Sequence, residues 1–302
     1  MKNNSKAVRV IIYIGLVFWM LVNLFPVYWM FTFSLKSNAE IFGENVIGLP
    51  QEWRWSNYAT ALKLDTIAKV FQAGSIKEFF SNLQAFFKTG NMIKYFLNST
   101  IVAVATIVIT LAVALMATFA LTRLIWKRRK TLNKFFMLGL TIPIHASIVP
   151  VYVTLSRLHL LNTYWALIIP YSAFSLSMAI LVCTGFMNEI PRELDESACI
   201  DGCSVWGIFF RIIVPLMKPA VATVGIYTFL QCWNELMFAN IFISKSALQT
   251  LPVGVQALSG QYTTEWGPIG AALVLATFPT LFIYIFLSKK IQESFIAGAV
   301  KG

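Results

Sequence analysis

A polar segment between two long apolar stretches carries the residues of this chain that are best placed to recognise another molecule. Residues 189–219 read EIPRELDESACIDGCSVWGIFFRIIVPLMKP. The first half is acidic, the middle contains small residues, and a glycine and two late prolines follow. Polar surface in that position predicts a docking site for another protein rather than a catalytic centre.

The first half of this segment has the composition of a short helix. Glu193, Asp195 and Glu196 place negative charge near the positive end of a helix dipole. Ser197 and Ala198 follow them and are small enough for a neighbouring surface to approach closely. The sequence therefore predicts a helix with an acidic start and a close-packed middle.

The second half predicts a turn and a second helix. Asp201 and Gly202 end the first helix, because glycine takes the left-handed conformation without a Cβ penalty. Ser204 can cap the next helix, which runs into the following apolar stretch. Pro215 and Pro219 each remove a backbone donor and are expected to bend that entry.

A second set of polar residues lies in the apolar stretch that follows. Thr223, Tyr227, Gln231 and Asn234 recur at spacings of one helical face, and Glu235 lies beside them. Polar groups at membrane depth usually face a bundle interior or a water-filled path, and sugars need hydrogen-bond partners and an aromatic face. The residues therefore line a substrate pathway, or they bond to neighbouring helices or to a second subunit; both interpretations stay open.

The composition is that of an integral membrane protein. Of 302 residues, 58% are hydrophobic and 12% are charged, against roughly a half and a quarter in soluble proteins. Apolar stretches long enough to cross a bilayer predict six transmembrane helices in an all-α fold. The predicted spans are Val8–Ser34, Met92–Leu121, Phe135–Leu155, Tyr164–Met187, Ile208–Ile243 and Trp266–Leu287.

The net charge of +11 reflects membrane orientation rather than nucleic-acid binding. Lys127, Arg128, Arg129 and Lys130 occupy a short connection next to two spans, where positive charge orients most strongly. This pattern predicts that both termini lie in the cytoplasm. No continuous basic patch with interleaved aromatics indicates a nucleic-acid partner, and no cluster of Cys and His predicts a metal site.

Residues 36–91 form a predicted external segment that is too long for a simple connection. Ser75 and Glu78 have the spacing of a capping box, and Gly90 follows as a stop signal for an amphipathic helix. The segment either caps the helix bundle or receives an external partner. A second external loop, residues 244–265, is predicted to be flexible because it contains Pro252, Gly254 and Gly260.

The polar segment resembles the EAA loop of permease subunits of ATP-binding-cassette importers. The motif is E-A-A, three residues, glycine, nine residues and I-x-L-P. It falls on Glu196-Ser197-Ala198, Gly202, Ile212, Val214 and Pro215, with serine and valine as the departures. The flanking residues are similar to the carbohydrate-uptake branch, of the maltose-permease type. Further matches are Asn57-Tyr58, Asn162-Thr163, Trp233-Asn234-Glu235 and the end Gly298-Ala299-Val300-Lys301-Gly302.

This resemblance implies a type I importer permease that works with partner chains. It implies a second, unlike permease subunit, two cytosolic ATPase subunits and an external solute-binding protein. The sequence contains no G-x-x-x-x-G-K-[ST] phosphate loop. We therefore expect no cofactor and no catalytic residue in this chain, and we expect ATP and Mg²⁺ to be bound by the ATPase.

Site roles also follow from the resemblance. Glu196 is implied as the ion-pairing residue, Ser197 and Ala198 as the packed surface, and Gly202 as the turn. The full set implied to dock the ATPase is Glu193, Glu196, Ser197, Ala198, Asp201, Gly202 and Pro215. A cytoplasmic tail, with Gln292, Lys301 and Gly302, is a second implied contact with the ATPase, although a frayed terminus is an equal alternative.

The expected organisation has four parts. They are an N-terminal tail and first span (1–35), the external segment (36–91), a permease core (92–290) that contains the coupling loop 189–219, and a tail (291–302). The expected function is alternating-access import of a carbohydrate, in particular an oligosaccharide, across a bacterial inner membrane. Alternatives are another polar solute such as glycerol phosphate, which predicts a strongly basic pathway, or a stand-alone ion-driven transporter.

Overall fold

The computed structural model describes residues 4–88, 90–259 and 264–299, and the regular structure in those ranges is entirely helical. The chain divides into two compact units. The first comprises residues 1–86 and 255–278, and the second comprises residues 87–254 and 279–302. The long helix α16 (Trp266–Ala299) contributes residues to both.

The first unit contains one long apolar helix, α1 (Asn4–Ser34), followed by short helices. Side chains along α1 are exposed through most of its length, including Ile11 and Phe18. An apolar helix with an exposed surface suits contact with lipid. The short helices are α2 (Asn38–Ile41), α3 (Ser56–Leu62), α4 (Leu64–Phe71) and α5 (Ile76–Lys88).

Two adjacent residues attach the external segment to the outer end of α1. The amide of Asn57 donates to the carbonyl oxygens of Ser34 and Lys36, at 2.9 and 3.0 Å. The hydroxyl of Tyr58 lies 2.8 Å from that of Ser34. These contacts give a structural role to the Asn57-Tyr58 pair, because buried backbone carbonyls require donors.

The stretch after α1 folds around two opposite charges. The Lys36 ammonium is fully buried and donates to the carbonyls of Asn45 and Val46, at 2.6 and 3.1 Å. Burial lowers the pKa of Lys36, and the nearby Glu40 carboxylate partly offsets this effect. For Glu40 burial acts to raise the pKa, but N–H donors from Gln51 and Ser37 outweigh it, so its pKa lies below the usual value.

The predicted start of α5 is confirmed with one change of partner. The Ser75 hydroxyl accepts from the Glu78 N–H at 3.2 Å, as an N-cap should. The Glu78 carboxylate then accepts from the N–H of Gly74 at 3.0 Å. In the standard capping box that the sequence predicts, the donor of this second bond is the N–H of Ser75, one residue later.

The second unit is built on three helices that pack against each other: α6 (Met92–Thr122), α9 (Trp165–Glu189) and α13 (Lys218–Trp233). Fully buried Ala114 and Ala179 permit close approach of α6 and α9. The remaining helices are α7 (Arg129–Leu138), α8 (Ile148–Arg157), α10 (Glu193–Ile200), α11 (Val205–Ile208), α12 (Val214–Leu216), α14 (Met237–Phe242) and α15 (Leu251–Gln256).

Four of the predicted spans are unbroken helices and two are bent pairs. Unbroken spans cover Val8–Ser34, Met92–Thr122, Trp165–Glu189 and Trp266–Phe286. The third predicted span is a pair, Arg129–Thr141 and His145–Arg157, which meet at 92°. This pair begins six residues before the predicted Phe135, and Pro143 lies at the break, where it removes a backbone donor.

The fifth span differs from the prediction at both ends. It consists of Val205–Leu216 and Lys218–Trp233, with a bend of 71° between them. The bend confirms the effect expected of Pro215 and Pro219. The predicted end at Ile243 is wrong, because the chain leaves the helix after Trp233 and begins α14 at Met237.

Side-chain hydrogen bonds hold the outer loops of the second unit. The Asn162 side-chain oxygen accepts from the backbone N–H groups of Ser244 and Lys245, at 2.7 and 3.0 Å. The Asn98 amide, on α6, donates to the carbonyls of Ala247 and Gln249, at 3.0 and 2.8 Å. Residues 244–249 are therefore anchored, contrary to the flexibility predicted for that part of the loop.

Candidate functional site

The polar segment forms a helical hairpin at one end of α9. Helix α10 ends at Ile200, and Gly202 adopts a φ of +78°, the left-handed conformation that the turn requires. The Ser204 hydroxyl then accepts from the Gly207 N–H at 3.1 Å and caps α11. The structure thus has the two helices, the glycine turn and the serine cap that the sequence predicts.

After α11 the chain passes through a π-helical turn, Phe209–Ile213, before the bend into α13. Phe209 and Ile213 are buried in the core of the second unit. Pro215 is exposed and lies in α12. A wider turn next to the bend changes which side chains face inward, and such turns are frequent at functional sites.

The exposed surface of the hairpin combines carboxylates with large apolar side chains. Glu193, Glu196 and Asp201 are exposed. Ile200 and Trp206 are also exposed, at 86% and 62%. A cleft of 580 Å³ lies at the turn. Its lining residues are Asp201, Gly202, Cys203, Ser204, Trp206, Gly207, Phe210 and Arg211.

The small residues of the motif do not share one environment. Ala198 is 6% exposed and belongs to the buried core of the second unit. Ser197 is exposed, and its hydroxyl donates to the carbonyl of Leu194 at 3.2 Å. Ala198 therefore packs within its own chain, and Ser197 is the member of this pair that a partner would contact.

The attachment of the hairpin depends on Arg123, a residue that the sequence does not single out. Arg123, at the end of α6, donates to an Asp195 carboxylate oxygen at 2.9 Å. It also donates to the carbonyls of Met187 and Ile190, each at 2.7 Å. The two side chains are only 6% and 18% exposed. Arg123 thus joins α6, the end of α9 and α10.

One sequence signal could have found this contact. Asp195 precedes Ala198 by three residues, so both lie on one helical face. A carboxylate on the same face as a buried alanine needs a buried cation. Leu194, four residues before Ala198, is 41% exposed and does not belong to this buried face.

The polar residues along α13 do not share one environment, because Tyr227 and Asn234 are exposed while Gln231 contacts α9. Tyr227 is 42% exposed and Asn234 is also exposed, whereas Val224 and Thr228 are buried. Gln231 accepts a hydrogen bond from the Ser175 hydroxyl of α9 at 3.1 Å. Thr223 donates to the carbonyl of Pro219 within its own helix, at 3.0 Å.

Glu235 occupies a different environment from this polar face. Its carboxylate accepts from the N–H groups of Phe238 and Ala239, at 2.8 and 3.2 Å, and from the Tyr171 hydroxyl. The residue is 9% exposed. These bonds supply acceptors for the unpaired N–H groups in the first turn of α14, so Glu235 caps the start of that helix. Glu235 bonds to Tyr171 and Gln231 to Ser175, which lie one turn apart on α9, whereas Tyr227 and Asn234 are exposed.

Two of the three residues predicted to form the C-terminal contact lie outside the described residues. Gln292 lies in α16, of which the backbone is described at that position. Lys301 and Gly302 lie outside the described residues. The tail contact therefore stays a prediction.

Comparisons with known proteins agree with the helical membrane fold. The family described as binding-protein-dependent transport system inner membrane component matches residues 114–296. The sulfoquinovosyl glycerol transport system permease protein of Agrobacterium fabrum is 32% identical over 284 residues, which are 94% of this chain and 91% of that protein. The diacetylchitobiose uptake system permease protein DasC of Streptomyces coelicolor is 31% identical, over 97% and 95% of the two chains.

A solved structure shares the fold at lower identity. It is a chain of a bacterial ABC transporter involved in the import of the acidic polysaccharide alginate, and it matches with a TM-score of 0.75 at 17% identity, over 95% of this chain and 97% of that one. The chain belongs to the family of inner membrane components of binding-protein-dependent transport systems. It is a multi-pass permease with the type I importer fold.

Proposed function

We propose that this chain forms half of an alternating-access pathway that imports an oligosaccharide across a bacterial inner membrane. The observation that carries the proposal is the exposed face of α13. Tyr227 and Asn234 present an aromatic ring and an amide on a span whose opposite side is buried. Polar groups are costly when they face lipid, so this face suits a second permease subunit and a polar path between the two.

Carbohydrate is the substrate class that fits these side chains. A sugar ring stacks on an aromatic face, and its hydroxyls bond to amides. The exposed residues of α13 from Thr223 to Asn234 include no Lys or Arg, so they offer no cation to the phosphate of a solute such as glycerol phosphate. The relatives named for diacetylchitobiose and sulfoquinovosyl glycerol support a sugar substrate.

The hairpin supplies the coupling to ATP in this proposal. Glu196 pairs with a basic residue of a cytosolic ATPase, while Ile200 and Trp206 enter an apolar cleft of that subunit. Two such ATPase subunits bind ATP and Mg²⁺, because this chain has no phosphate loop. An external solute-binding protein delivers the sugar, and a second, unlike permease completes the pathway. This chain is then a transport subunit and not an enzyme.

The docking role is tested by co-purification of the ATPase with the native complex. Glu196→Ala removes one charge from an exposed position, and we expect it to reduce the retained ATPase by about tenfold, the value of one charge-assisted hydrogen bond. Glu44→Ala is the matched control, since Glu44 is an exposed carboxylate in the external segment. Normal retention and normal uptake in Glu196→Ala would show that the hairpin is not the docking site.

The substrate class is tested separately by uptake of labelled glycans through the assembled complex. We expect Tyr227→Ala and Asn234→Ala to raise the KM for the transported oligosaccharide without changing ATPase retention. Asn240→Ala, an exposed amide of α14, is the control. Uptake of a non-sugar solute, with no response to either variant, would reject the carbohydrate pathway and leave the docking result unaffected.

A further inference from the structure

A basic pocket lies beside the helical hairpin, and the proposed import function does not use it. It has a volume of 270 Å³, just below the range of about 300–1,000 Å³ that is usual for pockets of drug-sized ligands. Helices α6, α7 and α9 supply most of its walls. The lining residues are Leu121, Thr122, Arg129, Lys130, Asn133, Thr184, Asn188 and Arg192.

The charge of the pocket is strongly one-sided. Arg129, Lys130 and Arg192 line it, and no carboxylate is among the lining residues. Arg192 uses one donor on the carbonyl of Thr122, at 3.1 Å, and Arg129 uses one on Leu124, at 3.4 Å. Because a guanidinium has five N–H donors, both arginines keep donors for a ligand. Three cations at one pocket favour an anion.

Uncharged groups in the pocket point to a ligand with several acceptor oxygens. Thr184 lines the pocket with an uncharged polar side chain. Asn133 and Asn188 add amide donors. A phosphate group, with its negative charge and several acceptor oxygens, meets all of these demands.

Helix α7 makes an anion at this place more favourable. Arg129 and Lys130 are its first two residues, with Arg128 at the N-cap and no acidic residue in the first turn. Cations at a helix N-terminus are unfavourable, because the dipole is positive there. An anion next to these residues offsets both the repulsion among the cations and their conflict with the dipole.

The position of the pocket indicates which phosphate reaches it. Thr122 is the last residue of one span and Asn188 is the penultimate residue of another, so the pocket lies at head-group depth. Helix α7 also exposes Leu132, Phe135 and Leu138, at 39%, 67% and 61%. Apolar side chains beside a head-group pocket suit acyl chains, and basic pockets between cytoplasmic helix ends suit anionic lipid head groups.

We infer that this pocket binds the phosphate of an anionic phospholipid from the cytoplasmic leaflet. The lipid bridges α7 and Arg192, the residue directly before α10. A bound lipid therefore holds the start of the hairpin against α6 and α7. This role adds to the Arg123–Asp195 pair and does not depend on which solute is transported.

The test is native mass spectrometry of the full-length chain in detergent with added lipid. Phosphatidylglycerol is the anionic probe, phosphatidylcholine the zwitterionic one, and inorganic phosphate the soluble competitor. The double variant Arg129→Gln/Lys130→Gln removes two cations of the pocket. The matched control, Lys127→Gln/Lys134→Gln, removes two exposed cations that do not line it.

We expect phosphatidylglycerol to be retained over phosphatidylcholine, and the pocket variant to lower that retention by about tenfold or more, given the contribution of each cation near an anionic lipid. The control variant keeps most of its retention. Equal losses in the two variants, or no preference for phosphatidylglycerol, would overturn the pocket as a site. Displacement of the lipid by an equal concentration of inorganic phosphate would overturn the lipid as its ligand.

A single substitution at an exposed residue distinguishes a loss of lipid binding from a loss of fold. Lys130 is exposed, so Lys130→Gln should leave the melting temperature unchanged while still lowering lipid retention. Unchanged retention in Lys130→Gln together with unfolding of the double variant would count against the site, because the loss would then come from structure.

Discussion

Arg123 and Asp195 form an ion pair with a nitrogen–oxygen distance of 2.9 Å, although they are separated by 72 positions in the sequence. The pair fixes the start of α10 to the end of α6, and the further bonds of Arg123 to Met187 and Ile190 fix the end of α9 as well. A force applied to the hairpin therefore reaches two spans through one guanidinium.

Removing one member of this pair should be strongly destabilising. We expect Arg123→Met to lower the free energy of unfolding by about 3–5 kcal/mol, because it leaves the Asp195 carboxylate buried without a cation. Replacing both, as Arg123→Met/Asp195→Leu, should recover part of that loss. Melting temperatures of Arg123→Met, Asp195→Leu and the double variant in detergent measure both effects as a double-mutant cycle.

The chain contains a control for this prediction. Arg54 and Glu52 form an ion pair at 3.3 Å, with side chains 48% and 75% exposed. Exposed pairs contribute roughly 0–1 kcal/mol, so Arg54→Met should leave the melting temperature nearly unchanged. Similar losses from Arg54→Met and Arg123→Met would show that general charge, rather than burial, determines the result.

The stability of the turn at Gly202 should depend on its backbone conformation and not on side-chain contacts. A Cβ at residue 202 would meet no atom within 4 Å, but the φ of +78° is unfavourable for any residue with a Cβ. We expect Gly202→Ala to cost about 1–2 kcal/mol in the turn. Faster hydrogen exchange in α10 and α11, compared with the unmodified chain, is the measurement.

Gly185 provides the matched substitution in a different conformation. It lies inside α9, and a Cβ there also meets nothing within 4 Å. Alanine is favoured over glycine in a helix by about 1 kcal/mol, so Gly185→Ala should be neutral or stabilising. Equal hydrogen-exchange rates of α10 and α11 in Gly202→Ala and Gly185→Ala would contradict the cost assigned to the left-handed turn.

Local sequence signals predicted the elements whose causes are themselves local. The Ser75 cap, the Gly202 turn, the Ser204 cap and the bend at Pro215 and Pro219 each depend on a few adjacent residues. Most of the span positions also followed, because a bilayer sets a minimum length of apolar helix.

The features that the sequence did not predict depend on distant partners. The end of the fifth span is fixed by Glu235, whose carboxylate is held by Tyr171 on α9. The packing face of α10 is fixed by Arg123 on α6. Neither contact is visible in a helical period, because the period shows which residues share a face and not which other helix covers that face.

Glu235 is therefore expected to act on stability. Glu235→Ala leaves the N–H groups of Phe238 and Ala239 without their acceptor, and we expect a loss of about 1–3 kcal/mol for each buried group left unpaired. Tyr171→Phe should give a smaller loss of the same kind. Melting temperature and the KM for uptake are measured together, with Asn240→Ala as the exposed control.

Opposite outcomes separate the two roles of Glu235. A lower melting temperature with an unchanged KM in the surviving protein supports helix capping. A normal melting temperature with a raised KM would place Glu235 in the substrate pathway, together with Tyr227 and Asn234, and would contradict the capping role.

The external segment should weaken when Glu40 is protonated. The N–H donors of Gln51 and Ser37 stabilise the ionised carboxylate and hold its pKa below the usual value of 4.5. A depressed carboxyl pKa stabilises the fold above the unfolded pKa, and that stability is lost as pH falls through the folded value.

We expect Glu40→Gln, which resembles the protonated side chain, to increase hydrogen exchange at residues 45–51 near neutral pH. The exchange rates of the unmodified chain and the variant should become equal only below pH 4.5. The two proteins are compared at the same pH, which cancels the intrinsic pH dependence of exchange. Equal exchange of the two at neutral pH would show that Glu40 does not hold this segment, and that the buried Lys36 ammonium, bonded to Asn45 and Val46, holds it alone.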